Sequence, residues 1–506
     1  MEQSAVIIGA GLGGLFTGAI LAKEGLKVTL IEKNPTCGGG LQSFIRFGEV
    51  FDTGMHVVGG LHEGGNIYRI CKYLGIADKI HIRHVDPYPI DTLYMAQDDK
   101  TYFIAQGREE FVDSLAKDFP HQRAELKAYV DAIYRLTDEM DLFYLRPSKG
   151  WAVQHGEDFI ISVNAFISKY ISDPKLAALL AYMNPLYGGI ENKTPAFIHA
   201  LISVLYIDGP SRFEGGSQLF ADTLKECIEE HGGEVILGDG VEKICSEGKL
   251  ITSVHTRKGR SFSADWYISA IHPCTMLKLF EDPSLLPKAF RKRMDSLPNT
   301  YSAFTLNIKL KAEIFRYINH SCYYMGRYDR MWNFDKPGDE WPLGFLYMTP
   351  PDIDQGEYAS KIIITAPMPW EFVKEWENST LGHRPEAYVR WKEECAEKLL
   401  ALMEKMFPGF RENCVEQINT ASPLTIRDWY GVKEGSMCGF AKDCNNMAAS
   451  QLPVVTKVRN LLLTGQNNNV HGFCGVPLTA INTSEVILGL NYVLDKINQS
   501  THNEQI

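Results

Sequence analysis

Gly9, Gly11 and Gly14 stand at the spacing G-x-G-x-x-G in the run Ser4-Ala5-Val6-Ile7-Ile8-Gly9-Ala10-Gly11-Leu12-Gly13-Gly14, and an acid, Glu32, follows. That pattern is built for a dinucleotide. Gly9 permits a tight turn, Gly11 lets backbone approach a pyrophosphate, and Gly14 with Gly18 lets the next segment pack closely. Phosphate charge then faces a helix N-terminus, and the Glu32 carboxylate is placed to meet ribose hydroxyls. For proton transfer near neutral pH the leading side chain is His56, in Phe51-Asp52-Thr53-Gly54-Met55-His56. An imidazole there could equally fix its own loop by bonding to backbone. His199 lies in an apolar run, Phe197 to Leu205, where packing is the simpler role. His471 and Tyr187 read more as wall residues than as acids, and His272 beside Pro273 reads as a loop residue.

These residues need elements to hold them. Val6 to Ile8 read as a buried strand, 14–24 as a helix ended by Gly25, and Lys27 to Ile31 as a second strand, which makes a βαβ unit. Pro35 to Ser43 carries Gly38, Gly39 and Gly40 and can wrap a second piece of backbone around the same ligand. A plain NAD domain does not need it. Thr92 to Met95 and Thr101 to Ile104 resemble strands. From Arg108 to about Asp208 apolar residues recur at three- and four-residue spacing, as in Phe111, Leu115, Leu126, Tyr129, Ile133 and Leu136, which predicts an inserted helical region. A helix from Gln218 to His231 feeds a strand at Gly233 to Leu237 and another at Val241 to Ile244. Leu250 to Thr256 and Ser261 to Ala270 read as hairpin strands. Pro298 to Pro423 reads as a mixed sheet, including Ala303 to Leu310 and Lys361 to Ala366. Asn460 to Gly465 then give a buried strand and turn, and Leu478 to Lys496 one long helix.

Composition bounds the partners. Among 506 residues, Lys and Arg number 51 against 62 Asp and Glu, a net charge of -11 that argues against nucleic acid. Eleven cysteines show no C-x-x-C pair, so neither a disulfide framework nor a zinc site is indicated, and a reducing cytoplasm fits best. Glu2 stands where a signal peptide would be basic, and no run approaches the roughly 18 apolar residues that span a bilayer. Pro287 to Leu297 sets Lys288, Arg291, Lys292 and Arg293 beside Phe290, Met294 and Leu297, a pattern for peripheral membrane contact or simply for a solvated helix face.

Taken together, the chain resembles the FAD-dependent phytoene desaturase, carotenoid isomerase and retinol saturase superfamily over nearly its whole length. The resemblance is carried by the glycine fingerprint with Glu32, the Gly38-Gly39-Gly40 loop, Phe51 to His56, and Tyr187-Gly188-Gly189 followed by His199-Ala200. Further motifs are Gly215-Gly216-Ser217, Ala421 to Thr425 ahead of Tyr430-Gly431, and Leu463-Thr464-Gly465-Gln466. Gly40 stands where many relatives have a basic residue, and Asn467 where saturases carry an acid.

The resemblance implies an α/β fold: a Rossmann-like FAD-binding domain of the glutathione-reductase type, interleaved with an α+β substrate domain. The flavin parts would be 1–107, 213–297 and 426–506, and the substrate parts 108–212 (helical) and 298–425 (mixed sheet). It implies that Gly9, Gly11, Leu12, Gly13 and Gly14 meet the pyrophosphate, with Gly39, Gly40 and Leu41 alongside. Glu32 and Lys33 would meet the adenosine ribose, and Val241 the adenine. Gly465, Gln466, Val476 and Pro477 would cradle the ribityl chain and isoalloxazine. His56, His199 and Tyr187 are the catalytic candidates. Cys474 would be a covalent flavin link or a small packed thiol.

The activity implied is saturation, desaturation or isomerisation of carbon-carbon double bonds in a long apolar substrate, carotenoid- or retinoid-like, held in a tunnel. Tyr323, Tyr324, Trp332, Phe334 and Trp341 are candidate wall residues, or ordinary sheet core. Only one dinucleotide fingerprint is complete, so electrons must pass to or from an external donor or acceptor. The rivals are a flavin oxidase of the amine oxidase or protoporphyrinogen oxidase type and a flavin-less prenyl-lipid carrier.

Overall fold

A computed structural model describes residues 3–54, 56–148, 155–338 and 340–502, so Met55 of the Phe51 to His56 motif lies outside the described residues. The first sheet is parallel. It contains β1 (Ser4–Ile8), β2 (Lys27–Ile31), β9 (Glu234–Ile236), β13 (Trp266–Ser269) and β19 (Leu461–Leu463), in the order β19-β13-β1-β2-β9. Strands buried on both faces must be apolar throughout, and the core of β1, Ala5 to Ile8, is at most 3% exposed. The helix Leu12–Lys23 is apolar on nearly every side because it is covered by the sheet and by helices Gln218–Glu230 and Gly472–Leu488.

Beside this sheet stands an antiparallel one of β10 (Val241–Glu247), β11 (Leu250–Thr256) and β12 (Ser261–Phe262). The expected strand Ser261 to Ala270 is therefore two. β12 completes the hairpin, while β13 turns away to lie parallel between β1 and β19. The break is held by Asp265, which accepts from the Ser4 backbone N–H and hydroxyl at 2.8 Å each, and by Tyr267, whose hydroxyl accepts from the Ala264 N–H.

The largest sheet has seven strands: β6 (Asp91–Met95), β7 (Lys100–Ile104), β14 (Ser302–Leu310), β15 (Ser321–Met325), β16 (Gly344–Met348), β17 (Lys361–Met368) and β18 (Val415–Ala421), in the order β18-β14-β17-β16-β15-β6-β7. All its pairings are antiparallel except β15 with β6. Residues 91–104, grouped by sequence with the flavin domain, thus bond into the other sheet. One face packs Phe304, Leu306 and Ile308 on Leu399 and Met403 of the helix Glu386–Met406. Two short ribbons, β3 (Ser43–Arg46) with β4 (Glu49–Asp52) and β5 (Ile82–His84) with β8 (Ser211–Phe213), lie between the sheets' loops.

The long terminal helix expected over 478–496 is also two, Gly472–Leu488 and Tyr492–His502. Gly489 and Asn491 take positive φ, and the Glu485 carboxylate accepts from the Asn491 and Leu494 N–H groups, which fixes the bend. Among the described residues no single helix is long and apolar enough to cross a membrane. Pro287 to Leu297 forms the helix Lys288–Ser296, whose Met294, with Leu286 and Leu297 flanking it, is buried in the protein's own core. Its Arg293 donates to the carbonyls of Ala449 and Gln451.

Candidate active site

At the C-terminal edge of the parallel sheet, where ligands of open α/β folds bind, glycines from three loops converge. Gly9, at φ 101°, turns the chain after β1, and a Cβ on it would lie 2.6 Å from the Ile271 side chain. A Cβ on Gly14 would lie 2.0 Å from the Gly9 carbonyl oxygen. The double-glycine loop lies on the first: Gly38 N–H donates to the Ala10 carbonyl at 2.7 Å, and a Cβ on Gly39 would be 3.0 Å from the Gly11 Cα. From the other side, a Cβ on Gly13 would come within 2.9 Å of the Gly465 Cα and 3.3 Å of Val476. Backbone N–H groups, the N-terminus of Leu12–Lys23 and almost no side-chain bulk are thus gathered in one cradle, with Leu12, Gly40, Leu41, Gln466 and Pro477 on the same segments.

Glu32 marks one end of the cradle. Its carboxylate accepts from Ala10 N–H at 2.8 Å and Asn34 N–H at 2.9 Å. A carboxylate has about four acceptor positions, so two remain for hydroxyls, and burial raises its pKa against those backbone bonds. The neighbouring turn to Val241 docks here, since Asp239 N–H donates to the Glu32 carbonyl. The Lys33 ammonium donates to the Asp428 carbonyl at 2.9 Å. With Asn34 bonding to Trp429, and Trp429 to Gln42, this fixes the helix Pro423–Tyr430 onto the cradle.

The other end is rich in buried polar atoms that have no partner in the protein. These are Nδ1 of His56, the Tyr430 hydroxyl and both ring nitrogens of His471. Burial holds Tyr430 up at about 12, so its phenol keeps its proton, and the hydroxyl is 3.0 Å from where a Cβ on Gly54 would sit. The half-buried His56 is held below the usual imidazole range by burial, with Asp52 opposing and Arg212 reinforcing. Asp52 ties the loops together, accepting from the hydroxyls of Ser43 and Ser217 and from Ser217 N–H at 2.7–3.0 Å. His471, at about 3, precedes the helix Gly472–Leu488.

Lys442 is the element of this end that the sequence concealed. Fully buried, it donates to the carbonyls of Ser450, Asn467 and Asn468 at 3.1–3.3 Å and so pins the turn after β19. Asn467 has its side-chain oxygen occupied by Phe440 N–H at 3.0 Å, which leaves its amide hydrogens for a ligand. Such unsatisfied groups, an open carboxylate and a glycine cradle fit an adenine-linked flavin from end to end.

The remaining candidates divide. His199 lies between two phenols, Tyr129 at 2.5 Å from Nε2 and Tyr187 at 3.1 Å from Nδ1. Burial holds it near 3, so it is neutral and has no unpartnered nitrogen. Cys474 is packed against Asn66 Nδ2 at 3.2 Å with its thiol pushed up to about 12, the packed-thiol alternative. His272 caps the helix Pro273–Leu277 and bonds Asn299, a loop role. Beyond Tyr187, the second face of the seven-stranded sheet encloses a cavity of about 50 Å³ among Tyr323, Met325, Leu346, Phe334, Leu186 and Met437. Tyr323 and Phe334 of the aromatic segment line it. Trp341 packs in the opposite core, its indole N–H on the Pro367 carbonyl.

Parallel sheet, glycine cradle, buried acid and neighbouring mixed sheet fit an FAD-binding oxidoreductase. The chain belongs to the family described as flavin containing amine oxidoreductase, whose model matches residues 12–336. It is similar to the all-trans-retinol 13,14-reductase of Rattus norvegicus, 26% identical over 542 residues that cover 98% of this chain and 87% of the relative. It is also similar to prolycopene isomerase 2, chloroplastic, of an Oncidium hybrid cultivar, 23% identical over 460 residues, 86% of this chain and 75% of that one. Among solved structures, an oxidoreductase from Methanosarcina mazei shares the fold at a TM-score of 0.64 and 19% identity, covering 95% of this chain and all of its own. These relatives lie in the carotenoid desaturase and retinol saturase superfamily, as the motifs imply.

Proposed function

We propose that this protein saturates, desaturates or isomerises carbon-carbon double bonds of a long apolar isoprenoid, in the manner its reductase and isomerase relatives' names describe. The observation that carries the reading is the likeness to those relatives along nearly the whole chain, and the cavity of about 50 Å³ on the inner sheet face, with apolar or aromatic walls at Tyr323, Met325, Phe334, Leu346 and Met437, suits one end of such a substrate. An amine would have no anionic partner among those residues. Flavin, when bound, supplies hydride transfer at N5. The chain's own residues orient the substrate, exclude water and hold the proton that saturation needs at the neighbouring carbon. We assign that proton to Tyr430, protonated at neutral pH and beside the Thr53 hydroxyl, ahead of the largely neutral His56. His199 and Tyr129 act through Tyr187, keeping its ring against the cavity turn. Glu32, the cradle glycines and Gln466 hold the cofactor, with Lys33 acting through the Asp428 turn.

The test is anaerobic photoreduction of the holoenzyme followed by incubation with retinol and carotenoids, products being read by mass. A gain of two mass units means saturation, a loss of two desaturation, and unchanged mass with shifted retention isomerisation. Peroxide produced from a panel of amines, with the polyenes untouched, would favour the amine oxidase type. A purified protein that releases no flavin on denaturation would favour the lipid carrier. The reading extends to lipid delivery. A surface groove of about 470 Å³ between Phe290, Arg293, Val455 and Lys457, with Lys288 and Lys292 on the same helix, is a basic apolar notch in an acidic protein. Co-sedimentation with vesicles rich in anionic lipid, reduced in K288E/K292E, checks this.

A further inference from the structure

Arg212 on β8 is fully buried, yet among the described residues no carboxylate lies within ion-pair distance of it. One arm is fixed: Nη1 donates to the carbonyls of Ile318 and Thr349 at 3.0 Å each. The other two positions, Nε and Nη2, have no carbonyl or carboxylate partner, and the Tyr317 phenol is the polar group beside them. Those two donors share one edge of the guanidinium and match the two oxygens of a carboxylate. A buried charge left in that state is costly unless something pairs with it.

The guanidinium lies outside the lining of the proposed substrate cavity and is reached from it through Tyr323, whose phenol feels its charge. Tyr323 lines that cavity. Two residues back on the same face of β15, about 6.6 Å at strand rise, Ser321 pairs with Asp91 of β6. Asp91 is itself buried. One of its oxygens accepts from the Tyr182 hydroxyl at 2.7 Å, and the Ser321 hydroxyl stands beside the carboxyl. The Tyr182 ring stands edge-on to Tyr323 with centroids 5.1 Å apart, which joins cavity wall to polar end. Thr349, which Arg212 grips, directly follows β16, whose Leu346 lines the same cavity. Asp91, Tyr317, His320 and His56 all feel the charge of Arg212.

We infer that the cavity ends in a carboxylate-binding site, Arg212 receiving the terminal acid group of a long apolar substrate through Nε–H and Nη2–H, with Asp91 and Tyr182 closing the pocket beside it. The inference rests on the function proposed above and names its substrate class: an amphipathic polyene acid rather than a pure hydrocarbon. One guanidinium edge suits one carboxylate. A prenyl diphosphate carries more charge than this single cation balances.

The experiment titrates flavin-loaded protein with retinoic acid, methyl retinoate and retinol, three probes with one chain and different ends, read by perturbation of the flavin absorbance. Charge-assisted bonds to a buried cation are expected to favour the acid over the ester roughly tenfold or more. R212Q should bring the affinity for the acid down to that for the ester measured on the same variant, while R212K, charged but without the fork, should keep only part of the preference. Equal binding of acid and ester by the unaltered holoprotein overturns the inference whether or not any variant folds. If the acid is not preferred but the alcohol or ester is converted, the function stands and this site falls. If none of the three binds or reacts, while amines are oxidised, the fault lies in the function itself.

Discussion

Lys442 and His199 are alike in being buried, titratable and fully hydrogen-bonded, and neither is needed as an acid. Lys442→Met keeps the volume but leaves the carbonyls of Ser450, Asn467 and Asn468 without their donor. Each costs about 1–3 kcal/mol, so the variant is expected to melt at least 5 °C lower and to lose flavin on gel filtration, checked by calorimetry and the visible-to-ultraviolet absorbance ratio. Unchanged flavin content would remove Lys442 from the cradle. The buried imidazoles predict a pH dependence. His199 and His471 sit at about 3 and His272 at about 4, all held down chiefly by burial. The unfolded chain protonates these rings near the ordinary 6.5 while the fold does not, so each removes stability as pH falls from about 6.5 towards 4, by about 1.4 kcal/mol per pH unit. Asp91, raised to about 7 by burial, acts in the opposite sense between about 4 and 7, because the fold keeps a proton that the unfolded chain releases. Urea midpoints should therefore drop between pH 6.5 and 5, and His199→Gln should make that drop shallower. A midpoint that rises on acidification refutes this. Neither Lys442 nor Arg212 is legible in sequence: Lys442 stands between Ala441 and Asp443 and Arg212 between Ser211 and Phe213, ordinary settings for a cation, and only the fold reveals that carbonyls surround each. Glu32 was legible because its spacing from the glycines is set by a fixed strand and helix geometry.

At the scale of elements, the three glycine loops work as one part. Gly13 and Gly465 touch across the join between the first helix and the turn after β19. Gly13→Ala puts a methyl group against backbone that has no rotamer to relieve it, and overpacking of this kind costs about 1–3 kcal/mol. Flavin affinity is expected to fall about tenfold or more, measured by reconstituting the apoprotein at graded FAD concentrations, whereas Gly25→Ala, with open space around it but positive φ, should cost stability and leave affinity alone. The strands β2 and β11 match their apolar runs residue for residue, since both ends are marked by turns. The division of 261–270 was not legible, because the apolar alternation continues through Ala264 and the break depends on Asp265 finding Ser4, far away in the chain. The bend at Gly489 was hidden for a related reason. It relies on Glu485 capping two later N–H groups, a contact that periodicity does not encode.

For the whole molecule, the sequence makes the flavin unit legible as a pattern of short local signals, while the pairing of β6 and β7 with β15 needs the three-dimensional fold. The two sheets share chain segments in alternation, so neither can be excised as a continuous piece. The cofactor cradle itself is assembled from both extremes of the chain: Gly9 to Gly14 from one, Gly465 and the helix Gly472–Leu488 from the other. A version ending at residue 459 is expected to express as colourless material, with less than about a tenth of the pigment of the full chain, which absorbance at 450 nm decides.

That arrangement sets a timetable for biogenesis. During translation the loop Gly9 to Gly14 emerges some 450 residues ahead of Gly465 and must wait, half a vessel, until that other wall arrives. Loading with the yellow prosthetic group then waits on the later segment, and scarcity of riboflavin would accumulate a hollow polypeptide rather than stall its manufacture.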